Sequence, residues 1–146
     1  MPNKSLAAGA SVLIGGAYVA VGIIGFFITG FDNFLVDTGK TLIFGFASVN
    51  PMHNVVHILV GAFLIAMTRF STATTEGALM GVGLFYITAF VIGVIAPDNL
   101  TIIAMNGAGD GENLVHIVTG VTALGAGVIS VGRSEAAAKR SGVPAS

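Results

Sequence analysis

From Ser5 to Phe31 the chain carries no charged side chain. Three further uncharged, apolar stretches follow at Met52–Thr68, Gly77–Ala96 and 113–131, the last preceded by Glu112. A hydrocarbon core about 30 Å thick needs about 20 apolar residues in helical form. The first stretch exceeds that length and the second, at roughly 17 residues, falls just short of it. Only 9% of the 146 residues are charged and 54% are hydrophobic, against roughly 25% charged in an ordinary soluble domain. Too few charges exist to clothe four such segments in water, so the expected solvent is lipid. The fold class that follows is all-α: a four-transmembrane-helix bundle with spans at about 7–30, 52–69, 77–96 and 112–131.

Punctuation fits those spans. Asn50-Pro51 offers an N-cap followed by proline at the first helical position. Pro97 stops the third span, and Asp110 is placed to cap the fourth. The first apolar run is much longer than the roughly 7–15 residues of a signal-peptide core, so it is expected to be retained. Lys4, Arg69, Arg133, Lys139 and Arg140 lie on one side of the expected membrane. The other side holds Asp32, Asp37, Asp98, Asp110 and Glu112 with the single Lys40. Cationic residues concentrate in the cytoplasm, which predicts an inner-membrane protein with a cytoplasmic N-terminus (1–6) and a cytoplasmic tail (132–146). Tryptophan is absent, so the interfacial aromatic belt is expected to rest on Tyr18, Tyr86 and phenylalanines. Net charge is −1 and cysteine is absent. Neither a nucleic-acid partner nor a disulfide or thiolate metal site is expected.

The chain also repeats itself. Asp32-Asn33-Phe34 and Asp98-Asn99-Leu100 each close a span, and each leads to Asn-x-x-His-x-x-x-Gly: Asn54-His57-Gly61 and Asn113-His116-Gly120. The first intervening loop is seven residues longer (Asn33 to Asn54 against Asn99 to Asn113), around TLIFGFASV, which is expected in the outer interface. Two parallel helical hairpins, 7–70 and 77–131, related by an axis along the membrane normal, account for the duplication. Glycine and other small residues supply close packing: Gly61, Gly120, the Gly77-x-x-x-Gly81 pair, Ala62/Ala66 and Thr119/Ala123/Gly127.

Residues four apart share a helix face. His53, His57 and Gly61 therefore line one face of the second span, and Glu112, His116 and Gly120 one face of the fourth. If the faces meet, three imidazoles and one carboxylate converge. Two accounts are open. In the first, histidines, Glu112, Asn54 and Asn113 are a polar lock between helices near the bundle mouth, where water reaches them. In the second, ionisable groups within spans mark a functional site. A His₃Glu metal set (His53, His57, Glu112, His116) then comes first. Haem held by His57 and His116 comes second, and a proton relay third. NGAGDGENL has a calcium-loop composition without the required ligand spacing and reads as a flexible turn. No nucleophile–base pair and no phosphate loop is present.

GFFITGFDNF, VNPMHNVVHILVGAFLIA, APDNL and ENLVHIVTGV together resemble the bacterial multi-pass membrane proteins grouped as domain of unknown function 4383. The resemblance runs from about Ala7 to Val131. That family usually has Asp-Asn before the second histidine; Glu112-Asn113 here keeps the carboxylate. The resemblance implies a four-helix inner-membrane protein and brings no reaction, cofactor or catalytic residue.

The functional expectation is a small, non-enzymatic accessory or scaffold subunit, working in a membrane complex or as a homo-oligomer. Four helices with tiny loops leave little room for a substrate path. Its alternative is a metal- or haem-binding redox or proton-handling module using the duplicated histidines. A dimerising transporter half-unit is a third possibility.

Overall fold

The computed structural model describes residues 5–36, 41–42, 45–96 and 109–142. Four helices dominate: α1 Leu6–Thr29, α2 Pro51–Met67, α3 Thr72–Ile95 and α4 Gly111–Ser141. Asp37, Lys40, Pro97, the Asp98-Asn99-Leu100 motif and the first residues of NGAGDGENL lie outside the described residues.

Each helix begins on a side chain that accepts an otherwise unpaired backbone N–H. Ser5 caps Ala8, Asn50 caps His53, Ser71 caps Thr74 and Asp110 caps Glu112. The Asn50 and Asp110 caps bear on the candidate site, because they fix the first turns that carry His53 and Glu112. α3 starts at Thr72, five residues before the expected span edge, and so takes Glu76 into the helix. The uncharged run marks where apolar surface begins, whereas Ser71 marks where the helix can be capped. α4 likewise continues past Val131 through RSEAAAKRS, with Lys139 and Arg140 in its last turn facing the negative end of the helix dipole.

The bundle is apolar outside and polar within. Leu13, Phe27 and Ile95 are 75–86% exposed. Ser11, His53, Asn54, His57, Thr75, Glu76, Glu112, Asn113, His116 and Ser130 are all buried. This inversion has a low energy only where the surroundings are hydrocarbon. α1, α3 and α4 are long and apolar enough to cross a membrane, and α2, with 17 residues, is shorter. At 1.5 Å per residue α2 is about 25 Å long.

Helix pairs meet where glycine removes the side chain. A Cβ on Gly15 would lie 2.6 Å from the Gly61 carbonyl oxygen, fixing the α1–α2 crossing. A Cβ on Gly83 would lie 2.6 Å from the Leu124 nitrogen and 2.9 Å from the Gly120 oxygen, fixing the α3–α4 crossing. Gly61 and Gly120 thus stand at the two crossings. Gly77 and Gly81 do not: a Cβ on either meets nothing within 4 Å. They open instead onto an apolar groove of about 380 Å³ between α2 and α3, lined also by Val60, Phe63 and Phe85. Small-residue spacing specifies a face, and here that face points away from the bundle's own helices. Gly81→Ala should accordingly leave thermal stability in detergent unchanged or raise it, since alanine is favoured in helix interiors by about 1 kcal/mol. A clear fall in melting temperature would show that the glycine is packed against something.

The two ends of the bundle are tied differently. At one end Glu76 Oε1 accepts hydrogen bonds from Ser130 Oγ (2.8 Å) and Ser134 Oγ (2.9 Å), while Ser130 Oγ accepts from the Ala7 amide at 3.2 Å. α1, α3 and α4 are joined there. At the other end the loop after α1 folds back. Thr41–Leu42 and Ala47–Ser48 pair as an antiparallel two-stranded ribbon. The Phe46 carbonyl accepts from Gly111 N at 2.9 Å, and Asp110 accepts from Ser48 N at 3.1 Å. Ala47 and Val49 are fully buried. Part of the longer first loop is thus docked against the start of α4 rather than lying free in the interface.

Candidate metal centre

The Asn50 cap sets His53 in the first turn of α2, and His57 follows one turn later on the same face. On α4 the Asp110 cap sets Glu112, with His116 one turn on. The two faces meet. His53 Nε2 and His57 Nε2 are 3.0 Å apart. Glu112 Oε2 lies 3.5 Å from His53 Nε2 and 3.5 Å from His116 Nε2. One donor atom from each of the four residues falls within 4.8 Å of all the others. All four residues are buried, at 1–2% exposure, so the water expected around them at the bundle mouth is excluded.

Two tyrosines form the floor. The Tyr18 ring meets His57 edge-on at 4.7 Å between centroids, and the Tyr86 ring stacks on His116 at 4.9 Å with a 29° tilt. The tyrosines touch each other at 5.0 Å, and Tyr18 Oη donates to Thr119 Oγ1 at 2.9 Å. They are buried and do not form the interfacial belt expected of them. The reason is positional: each stands three residues after a crossing glycine, Gly15 or Gly83, on the face turned inward. That shared offset from glycine was the signal in the sequence. Glu76 carries no comparable signal in the sequence, because it sits just outside the uncharged run.

The remaining polar residues separate by task. Asn54 Nδ2 donates to Thr29 Oγ1 at 2.9 Å, and Thr29 Oγ1 in turn donates to the Gly25 carbonyl. This is a lock between α1 and α2. Asn113 is buried on α4. Asp32, one of the aspartates on the histidine side of the expected membrane, is exposed. Among the described residues, His116 makes no hydrogen bond through either ring nitrogen, and Glu112 Oε2 and His57 Nδ1 also make none. Buried polar atoms are normally paired, so an unpaired one calls for an explanation such as an absent water or ion.

A family profile described as a domain of unknown function (DUF4383) matches residues 9–129. No curated protein and no solved structure matches the chain. The matched span takes in both glycine crossings, both tyrosines and all four converging ligands, and on that coverage the chain belongs to the DUF4383 family.

Proposed function

We propose that this protein is a non-enzymatic, four-span membrane module of two parallel hairpins, with both termini cytoplasmic, that binds a divalent first-row metal ion near its extracytoplasmic surface. The observation that carries this reading is the convergence of His53, His57, Glu112 and His116. Zinc bonds of about 2.0–2.1 Å to nitrogen and oxygen place tetrahedral ligands roughly 3.3 Å apart. Three of the six donor separations, at 3.0, 3.5 and 3.5 Å, lie close to that edge, and all six are within 4.8 Å. Three imidazoles and a carboxylate without sulfur suit zinc and its neighbours, with Cu(I) disfavoured.

Hydrogen bonding separates this reading from the polar lock. A lock works through hydrogen bonds between helices; Asn54 and Thr29 make one, whereas the 3.0 Å His53–His57 contact lies within α2 and His116 makes none among the described residues. Haem is disfavoured because Tyr18 and Tyr86 pack directly on His57 and His116, and all four ligands are buried at 1–2% exposure, which leaves no space around the imidazoles for a macrocycle. Retention is favoured over transport. Leu64, Leu79, Val82 and Ala123 are buried between the histidines and Glu76, and they insulate the two polar regions from each other. The hairpin repeat is supported by correspondence: Gly15/Gly83, Tyr18/Tyr86, His57/His116 and Gly61/Gly120 occupy like positions along their helices. The accessory or homo-oligomeric role is compatible with this module, and the Gly77/Gly81 groove is the apolar surface it would use.

The test is purification in detergent without chelators, followed by elemental analysis. One equivalent of zinc or a neighbouring ion per chain is expected, with no Soret band. Protein that is metal-free as isolated and retains nothing after zinc loading would overturn the reading. A second readout follows from the aromatic floor. The chain has two tyrosines and no tryptophan, and both tyrosines touch ligand rings. Cu²⁺ should therefore quench most of the intrinsic emission with a 1:1 endpoint, and zinc added first should block the quenching.

A further inference from the structure

The four ligands divide evenly between the two hairpins: His53 and His57 stand on α2, Glu112 and His116 on α4. Among the described residues, every close glycine approach between helices lies within one hairpin, Gly15, Gly22, Gly25 and Gly61 joining α1 to α2, and Gly83, Gly120 and Gly127 joining α3 to α4. Among the described residues, the polar connections between the hairpins are Tyr18 to Thr119 midway, Ala7 N to Ser130 at the Glu76 end, and Gly111 N to Phe46 O with Ser48 N to Asp110 Oδ1 where the loop after α1 docks on the start of α4. At the histidine end α2 and α4 face each other through the four ligands themselves.

Resting on the metal reading above, we propose that the ion is a closed, four-ligand zinc that staples the two hairpins together at their extracytoplasmic end. Four protein ligands complete a tetrahedron, which is the arrangement of structural rather than catalytic zinc. The ligand side chains are 1–3% exposed, so no position is held open to solvent. With zinc bound, the carboxylate and imidazoles have their lone pairs satisfied across the hairpin interface. Without it, His57 Nδ1 on one hairpin and Glu112 Oε2 and both His116 ring nitrogens on the other have no hydrogen bond among the described residues, and parting toward the nearby outer water satisfies them. The Glu76 end holds none of the ligands, and there the Ala7 amide joins the hairpins directly through Ser130 Oγ, which also bonds Glu76. The staple thus makes the outer half of the bundle respond to zinc outside the membrane.

The native chain has no cysteine, so paired nitroxide labels report this cleanly on the full-length protein in lipid nanodiscs. Phe31→Cys with Ile95→Cys spans the two hairpins at the histidine end, on side chains 72% and 75% exposed. Leu6→Cys with Ile129→Cys spans them at the other end. Zinc-loaded protein should give a narrow distance distribution for the first pair. Chelation should shift it to longer distances and broaden it, while the second pair stays unchanged. Adding His116→Ala should give the chelated pattern even with zinc present. One zinc bound per chain with no change at the first pair would overturn the staple while leaving the metal site standing. Failure of zinc to bind at all would overturn both. Co²⁺ loading separates the coordination: intense visible bands of tetrahedral Co²⁺ support a closed site, and the weak bands of octahedral Co²⁺ contradict it.

Discussion

His116→Ala is expected to lower zinc affinity at least about a hundredfold, since outer-shell changes alone cost 10–100-fold and this removes a ligand outright. His57→Ala and His53→Ala should behave alike, and Glu112→Gln should weaken binding while keeping the side-chain volume. Stability should move differently. Ligand binding stabilises the folded state by RT ln(1 + [L]/Kd), about 4 kcal/mol at a thousand times Kd. Wild-type protein should therefore melt higher with zinc than with chelator, and His116→Ala should show no such difference. His116→Leu sharpens the contrast. It replaces a buried imidazole without hydrogen bonds by an apolar group of similar bulk, so the metal-free protein should lose nothing and may be compared directly with metal-free wild type. Asn54→Ala is the complementary control. It breaks the bond to Thr29, which costs about 0.6 kcal/mol on the scale measured for membrane proteins, and it should leave zinc affinity intact. Isothermal titration and thermal unfolding in detergent read both quantities.

Gly61→Leu and Gly120→Leu should each destabilise the bundle by about 3 kcal/mol, at the upper end of ordinary overpacking. A side chain at Gly61 would drive into the Gly15 carbonyl and Val19; one at Gly120 would meet the Gly83 oxygen and the Ile87 nitrogen, each at 2.9 Å. Backbone atoms cannot rotate out of the way, so the helices must separate. His57 and His116 stand one turn from these crossings, and zinc affinity should fall along with stability. Leucine at Gly77, whose Cβ position is open, is the matched control and should cost little of either. Reversible unfolding in mixed micelles measures the difference.

Much of this architecture is legible in the sequence because the bilayer restricts the choices. Uncharged runs give the helices, Asn50-Pro51 and Asp110 give two starts, and i,i+4 spacing gives the shared face of each histidine pair. What failed to transfer were questions of which way a face points. Gly77-x-x-x-Gly81 has the same spacing that packs helices elsewhere, yet nothing local distinguishes a bundle-facing stripe from a groove-facing one. Tyr18 and Tyr86 carry the polar tip that favours interfaces, but their offset from Gly15 and Gly83 turns them inward against the histidines. Burial of the ligands was also out of reach. Terminal turns of membrane helices are ordinarily wet, and the residues that exclude water here include Ala47 and Val49 from a loop whose docking depends on backbone bonds to Gly111 and Asp110. Glu76 shows the same limit at the other end: its partners Ser130 and Ser134 are more than fifty residues away in the chain.

The most direct test of the central claim is X-ray absorption at the zinc edge on loaded, desalted protein. Convergence of the two helix faces predicts three imidazole nitrogens at about 2.0–2.1 Å and one carboxylate oxygen at about 2.0–2.2 Å, with imidazole scattering reduced by one ring in His116→Ala. An oxygen-only shell, or a spectrum that His116→Ala leaves untouched, would contradict it.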